Sequence, residues 1–392
     1  MDAVLRVAVV GAGSIGREFA LRHFGPHTRT AVTSIVDIDP AAAERLAIDV
    51  GSVAAGAWVM GGGYSETVSE RLGTPVAFDT ALTDNILAAC DAVYVGTTPN
   101  SHRELALRSL ASDKHLLLEK PLAVSAADAD AIAEAATAAA ARGIHASMNI
   151  GMRYNRALIE MRRLLDTQEL GELRSAKLGL HFAQWPREWQ QVAWCAGRNE
   201  GGPLREVGTH FLFAVHELFG HGSVKRVRAT VEYAAGSSTG AETVVAGAME
   251  LEGGLEVAVS VSTDGSVSGS SGDLYELSVT GDKGTLVLDE FTALRRLGWR
   301  KRTLVKPGPY GRAECVHAFV EAAELARSSC NADATKLSAG DGVRSSREED
   351  GAPKELQRQM WRPVSVIEGR NAQRVLDAML SSDGAWVDVG YS

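Results

Sequence analysis

The chain is short of several things at once, and each shortage argues against a class of protein. Its 392 residues include four cysteines, Cys90, Cys195, Cys315 and Cys330. They lie far apart and form neither a CxxC pair nor a zinc-finger spacing, so buried or free thiols in a reducing compartment are expected. No apolar run reaches the roughly 18 residues that a membrane helix needs. Lysine and arginine total 40 against 49 aspartates and glutamates, a net charge of −9. That balance argues against nucleic acid or an anionic membrane as the main partner. Acidic residues are spread along the chain rather than gathered in a tail, so the charge mostly serves solubility. The opening, MDAVLRVAVVGAG, starts a strand almost at once and leaves no room for a charged n-region and a separate signal-peptide core. A cytoplasmic protein is expected. No cluster of His, Cys and Asp shows metal-ligand spacing, and no metal is expected.

What is present is ordinary for a soluble globular chain, with 45% hydrophobic and 23% charged residues. The length exceeds one small core, and two domains are the natural division. Residues 5–10, LRVAVV, read as a buried parallel strand closed at once by GAGSIG. Gly11, Gly13 and Gly16 fit G-x-G-x-x-G. They supply a tight turn, close backbone approach to a pyrophosphate, and close packing of helix on strand. Ser14 and Ile15 open the helix whose N-terminal N–H groups and positive dipole end face the phosphates. A second strand, TAVTSIVDID, ends in Asp37, placed to accept hydrogen bonds from the ribose hydroxyls of NAD and to repel the 2′-phosphate of NADP. NAD is therefore expected over NADP, with a turn or cap role for Asp37 as the alternative.

Strands and helices keep alternating through DAVYVGTTPNSHRELALRSLASDKHLLLEKPLA, which indicates a doubly wound parallel sheet. Ligands of such sheets sit beyond the carboxyl ends of the strands. Thr97, Pro99, Asn100 and His102 in one loop, and Glu119 and Lys120 in another, are thus candidate cofactor contacts. Lys120 ends a buried strand and precedes Pro121, so the segment cannot run on as a helix. A structural salt bridge and a functional role are both open for it, and a cis bond before Pro121 is possible. Residues 51–75 are glycine-rich, fit no period, and read as an insertion.

GAGSIG, TTPNSH, EKPLA and the later GGPLREVGTH resemble, in order and spacing, the glucose–fructose oxidoreductase/inositol dehydrogenase/rhizopine catabolism (Gfo/Idh/MocA) family over nearly the whole chain. The resemblance implies a Rossmann-type NAD domain, residues 1–147, and a second α+β domain, residues 148–392, with an open, mainly antiparallel sheet. It implies a dehydrogenase or ketoreductase acting on a secondary alcohol or ketone of a sugar-like or cyclitol-like small molecule. It also implies a homodimer or homotetramer formed through the second sheet. Imine or enone reduction with the same cofactor remains an alternative, as does a non-catalytic NAD sensor.

The second half reads compatibly from its residues. LRSAKLGLHFA, SVKRVRATVEY, ETVVAGAMELEGGLEVAVSVST and LYELSVTGDKGTLVLDEFTALRRL are strand-like, with EGG and GDKG as hairpin turns. Residues 336–358 are polar and read as a loop or surface insertion. PVSVIEGRNAQRVLDAML reads as an amphipathic helix and AWVDV as a short strand.

GGPLREVGTHFLF, residues 201–213, raises the sharpest question. Two glycines and a proline end a loop. An apolar helix follows, with Phe211, Ala214, Val215 and Leu218 as its buried stripe. Glu206 and His210 stand four positions apart and share a face. The family pattern has aspartate where Glu206 stands. By that resemblance His210 and Lys120 handle the alcohol proton. Histidine titrates near neutrality, and a lysine cation can stabilise an alkoxide. Glu206 is expected to orient the imidazole or, with its extra methylene, to face substrate. By the same resemblance Arg153 and Tyr154 in NIGMRYN are expected near the cofactor and the substrate. Trp185, Arg187, Trp189 and Gln190 in QWPREWQ form a further candidate wall for a polyhydroxylated or charged substrate. Arg198 and Cys195 carry weaker expectations, and His216 is expected to be structural.

Overall fold

The computed structural model describes residues 4–54, 75–190, 192–265, 272–298, 302–331 and 361–391. The chain forms two compact units that interleave along the sequence. One comprises Met1–Glu119, Asp130–Asn149 and Arg312–Val366, and the other Lys120–Ala129, Ile150–Gly311 and Ile367–Ser392. The chain thus returns to the first unit after Gly311, which a single break between 147 and 148 does not describe.

The first unit is built on six parallel strands: β1 (Leu5–Val10), β2 (Thr30–Val36), β3 (Ala77–Asp79), β4 (Ala92–Val95), β5 (His115–Glu119) and β6 (Ala146–Asn149). Their order is β3-β2-β1-β4-β5-β6. Val7, Val9, Val93 and Val95 are fully buried, as the continuous apolar runs of β1 and β4 require of central strands covered on both faces. The order reverses between β1 and β4, and the loops leaving these two strands are GAGSIG and GTTPN. That reversal is where open α/β sheets bind ligands. The helix Arg312–Asn331 packs against β6. The helix Pro40–Ala54 carries through residues 51–54, so the glycine-rich stretch begins helically. Residues 55–74 and 336–358 lie outside the described residues.

The second unit is built on nine strands: β7 (Leu173–His181), β8 (Val224–Tyr233), β9 (Glu242–Leu251), β10 (Glu256–Ser262), β11 (Leu274–Gly281), β12 (Gly284–Asp289), β13 (Ala293–Leu297), β14 (Arg302–Val305) and β15 (Val387–Asp388). They run in the order β14-β13-β12-β11-β7-β10-β9-β8-β15. Among the described residues, pairing is antiparallel except where β10 lies parallel to β7, with Val259 opposite Leu178. Buried Val257, Val259 and Val261 alternate with exposed Glu256, Ala258 and Ser260, the period of a sheet with one covered face. The helix Arg156–Asp166 packs on β12, β13 and β14 and against the helix Thr209–Phe219. No helix among the described residues is long and apolar enough to cross a membrane.

Candidate active site

In the first unit the glycine loop is shaped by two close approaches. A Cβ on Gly16 would lie 1.8 Å from the carbonyl oxygen of Gly11, and one on Gly11 would lie 2.6 Å from that of Gly96. A Cβ on Gly13 would meet nothing within 4 Å. The chain itself therefore gives no packing reason for glycine there, whereas a bound pyrophosphate does, since it needs the bare backbone. Ser14, exposed, and Ile15, half-buried, begin the helix Ser14–Glu18. Asp37 accepts from the Ala12 N–H at 2.6 Å and from the Asp39 N–H at 2.9 Å, so it braces the glycine loop. Ile38 beside it is 93% exposed, an apolar surface suited to a flat base. These residues fit a dinucleotide.

The neighbouring loops are held largely by themselves. Ser101 bonds Thr97 through their hydroxyls at 2.7 Å, and the buried His102 pairs through Nε2 with the Thr97 carbonyl at 3.1 Å. Pro99 is buried at the start of a 3₁₀ turn, and Asn100 is exposed. Glu119 is buried and accepts from the Tyr94 hydroxyl at 2.8 Å and from the Asn149 side-chain amide. The expected cofactor contacts His102 and Glu119 thus brace a loop and join the ends of β4, β5 and β6.

The second unit gathers the proton-handling candidates around one carboxylate. Lys120 follows β5, and its bond to Pro121 is cis. Its ammonium donates to the Glu206 carbonyl at 3.0 Å and to Glu206 Oε1 at 3.1 Å. Arg187 donates to Glu206 Oε2 at 2.7 Å, and the Gln190 amide donates to Oε1 at 3.1 Å. Burial alone would push the Glu206 carboxyl up. Lys120 and then Arg187 outweigh it and hold the group down at about 2. Glu206 is ionised at any working pH.

Arg187 is itself buried, with its guanidinium carbon 5.6 Å from the Trp185 ring and 4.4 Å from the Trp189 ring. Gln190 Oε1 accepts from it twice, at 3.0 and 2.6 Å. Trp185 donates to the Cys195 carbonyl at 2.8 Å, whereas Trp189 is 74% exposed. Burial, aided by the Glu206 charge, pushes the Cys195 thiol up to about 12, which removes it as a nucleophile.

The abrupt stop at GGP has a steric cause. A Cβ on Gly201 would lie 2.2 Å from the Trp194 carbonyl oxygen, and one on Gly202, at φ +101°, would lie 2.2 Å from a Glu242 carboxylate oxygen. That buried carboxylate accepts from the Leu204 N–H at 2.9 Å and so ends the loop. Residues Leu204–Gly208 are wound as a π-turn before the α-helix Thr209–Phe219. Four-residue spacing alone does not signal this, and π-bulges occur frequently at functional sites.

Among the described residues, the Glu206 carboxylate is bonded by Lys120, Arg187 and Gln190. The longer glutamate side chain, rising from the π-turn, delivers its carboxylate to Lys120 and Arg187, and His210 Nδ1 is met by the Tyr310 hydroxyl. Phe291 and Tyr310 pack edge-on against the imidazole at 5.4 Å each. Tyr310 and Phe291 escaped the sequence reading. PGPYG and DEFT signal tight turns, but not that they fold against a helix some hundred positions earlier.

Arg153 is buried and pairs with Glu217 at 2.6 Å and Glu368 at 2.7 Å. His221 adds a contact to Glu217 at 2.7 Å. Glu217, His221 and Glu368 do have metal-ligand proximity, which the sequence reading missed because Glu368 is remote in the chain. The guanidinium of Arg153 supplies the cation of this cluster. Tyr154 is buried and Arg198 bonds the carbonyls of Gly240 and Ser237. His216 is fully buried and stacked on His221 at 5.5 Å.

Comparison with known proteins shows the family and the fold. Residues 5–145 match a family model described as an oxidoreductase family with an NAD-binding Rossmann fold, and residues 158–287 match the GFO/IDH/MocA C-terminal domain. A trans-1,2-dihydrobenzene-1,2-diol dehydrogenase of Sus scrofa is 27% identical over 198 residues, 50% of this chain and 53% of that protein. A glucose-6-phosphate 3-dehydrogenase of Bacillus subtilis is 29% identical over 140 residues, 35% of this chain and 39% of that protein. The match thus spans about half the length of such relatives, or less. The crystal structure of an oxidoreductase domain protein from Kribbella flavida shares the fold, with a TM-score of 0.69 at 18% identity over 99% of this chain and 100% of that one.

Proposed function

Since the chain belongs to the GFO/IDH/MocA family of NAD-binding oxidoreductases, we propose that it is a dehydrogenase or ketoreductase acting on a secondary alcohol or ketone of a ring-shaped, hydroxyl-bearing small molecule. The observation that carries this reading is the grouping of Lys120, Arg187 and His210 with one buried carboxylate, Glu206. Two cations against one anion leave a positive excess, which stabilises a developing alkoxide. His210 takes the hydroxyl proton during oxidation and returns it in reduction. Glu206 keeps the Lys120 ammonium in place.

The nicotinamide, when bound, supplies or accepts the hydride. Gly11, Gly13, Gly16 and Asp37 would hold the dinucleotide, and Asp37 with no arginine directly after it favours NAD over NADP. Trp185, Trp189 and Arg187 suit a polyhydroxylated ring, which aromatic faces and fixed donors recognise. Two copies are expected to join through the outer face of the nine-stranded sheet, where Ala246, Ala258 and Ser260 are exposed. Among the described residues Cys90, Cys195 and Cys315 are buried free thiols, which suits a reducing cytoplasm.

The test follows reduced-nicotinamide absorbance in both directions with sugars, amino sugars, cyclitols, keto-sugars and cyclic imines. Turnover of a polyol with NAD that His210→Ala lowers by at least about a hundredfold supports the reading. Turnover confined to imines, or unaffected by His210→Ala, overturns it.

A further inference from the structure

The proton-transfer role of His210 leaves open what fixes its ring. We propose that Tyr310 is a positioning residue that sets the plane and the tautomer of the His210 imidazole. This rests on the dehydrogenase reading for its kinetic consequence, though not for the geometry. The Tyr310 hydroxyl engages Nδ1, and its ring stands at 88° to the imidazole. On the other contact Phe291 stands at 85°, held there by a backbone φ of +66° that aromatic residues rarely adopt.

Tyr310 is anchored by main chain rather than by side-chain packing alone. A Cβ on Gly151 would lie 2.7 Å from the Tyr310 carbonyl oxygen, and one on Gly311, at φ +102°, would lie 2.4 Å from the Gly151 carbonyl oxygen. Both glycines allow the Tyr310 segment to press directly onto the turn Gly151–Tyr154, which fixes the hydroxyl in space.

A phenol in this position differs in kind from a carboxylate. A carboxylate only accepts, so it would hold a proton on Nδ1 and favour imidazolium. A phenol can do either. When its O–H donates to Nδ1, the neutral ring carries its proton on Nε2 and cannot take up the alcohol proton there. When Nδ1–H donates to the phenol oxygen, Nε2 is bare and takes the alcohol proton, and the imidazolium so formed keeps Nδ1–H on the phenol and returns the Nε2 proton to a ketone in the reverse direction. Tyr310 therefore supports both directions with one ring orientation. The nearby carboxylate, Glu206, acts on His210 through its charge while its oxygens are engaged by Lys120, Arg187 and Gln190.

The test uses the full chain labelled with ¹⁵N in its histidine rings, with the His210 signals assigned by His210→Gln. Tyr310→Phe keeps the ring but loses the hydroxyl, and is expected to shift the Nδ1 resonance of His210. Phe291→Leu, which removes the opposite ring and keeps the hydroxyl, is expected to leave that resonance in place and serves as the control for altered packing. On a substrate from the panel, Tyr310→Phe is expected to lower kcat about tenfold, the worth of one neutral hydrogen bond, with KM within about twofold. The limb of the pH–rate profile belonging to His210 is expected to move to lower pH, because the phenol oxygen bonds the imidazolium more strongly than the neutral ring. An unchanged Nδ1 resonance overturns the proposal whatever the kinetics. A shifted resonance with unchanged kcat and pH profile overturns the positioning role. If the parent protein turns over nothing, the dehydrogenase reading fails, and the ring nitrogens still decide whether Tyr310 sets the tautomer.

Discussion

Glu206 is buried, ionised and shared between Lys120 and Arg187, so its charge and its length both matter. Glu206→Gln keeps the shape and removes the charge, leaving two cations crowded out of water. Breaking a buried pair in this way costs roughly 3 kcal/mol or more. Urea unfolding at pH 7 should show that loss, and a variant as stable as the parent would sink the idea that this carboxylate holds the cations together. Glu206→Asp keeps the charge but cannot reach both partners, and the expected loss is nearer 1 kcal/mol, about one hydrogen bond. Lysine before proline, the glycine pair and the Glu–His spacing were all legible one residue at a time. The direction of the Glu206 carboxylate was not, because it depends on Arg187 and Gln190 arriving from another loop. Arg153 shows the same limit, since its partners Glu217 and Glu368 lie 64 and 215 positions away.

At the scale of elements, strands were legible where one period dominated. β4 and, from Val7 on, β1 are apolar, buried and central, while β10 alternates and has one exposed face. The π-turn Leu204–Gly208, which packs against β7 and runs into the helix Thr209–Phe219, left no comparable trace. The glycine loop permits a separation of two roles that a motif alone cannot make. Gly16→Ala drives a Cβ into the Gly11 carbonyl and should prevent folding or lower the melting temperature by several degrees. Gly13→Ala meets open space and should melt with the parent, yet lose NADH affinity by about tenfold or more, because the methyl group occupies the path of the pyrophosphate. Thermal unfolding and NADH fluorescence titration measure the two effects. Full-strength binding by Gly13→Ala would show that the cofactor does not approach there.

At the scale of the whole molecule, buried histidines and paired carboxylates in both units make stability depend on pH in acid. Burial, reinforced by Arg327, lowers His115 in the first unit to about 4, and burial, reinforced by His221, lowers His216 in the second to about 4. Each is neutral when folded and takes up a proton more readily when unfolded. Below pH 6.5 the unfolded chain therefore binds more protons, so stability is complete above about pH 6.5 and falls as pH drops toward 4. Glu206 and Glu217 open a second window. Burial opposes their ionisation, but Lys120 and Arg187 for the first, and His221 and Arg153 for the second, hold both at about 2. Their contribution is present above the ordinary carboxyl value and is lost as pH falls from about 4.5 toward 2. Both carboxylates belong to the second unit, and in the first Glu18 and Asp91 are held below the usual carboxylate range against burial by Arg312 and by Arg6, so both units go on losing stability below pH 4. Each group changes the slope by at most about 1.4 kcal/mol per pH unit. His216→Phe should flatten the fall between pH 6.5 and 4 by one proton and leave the loss below pH 4 as steep as before. Urea unfolding across pH 7 to 3 reads both slopes. An unchanged upper slope would mean that His216 is not the buried neutral group its surroundings make it, whereas a flattened lower slope would trace the acid loss to something other than these carboxylates.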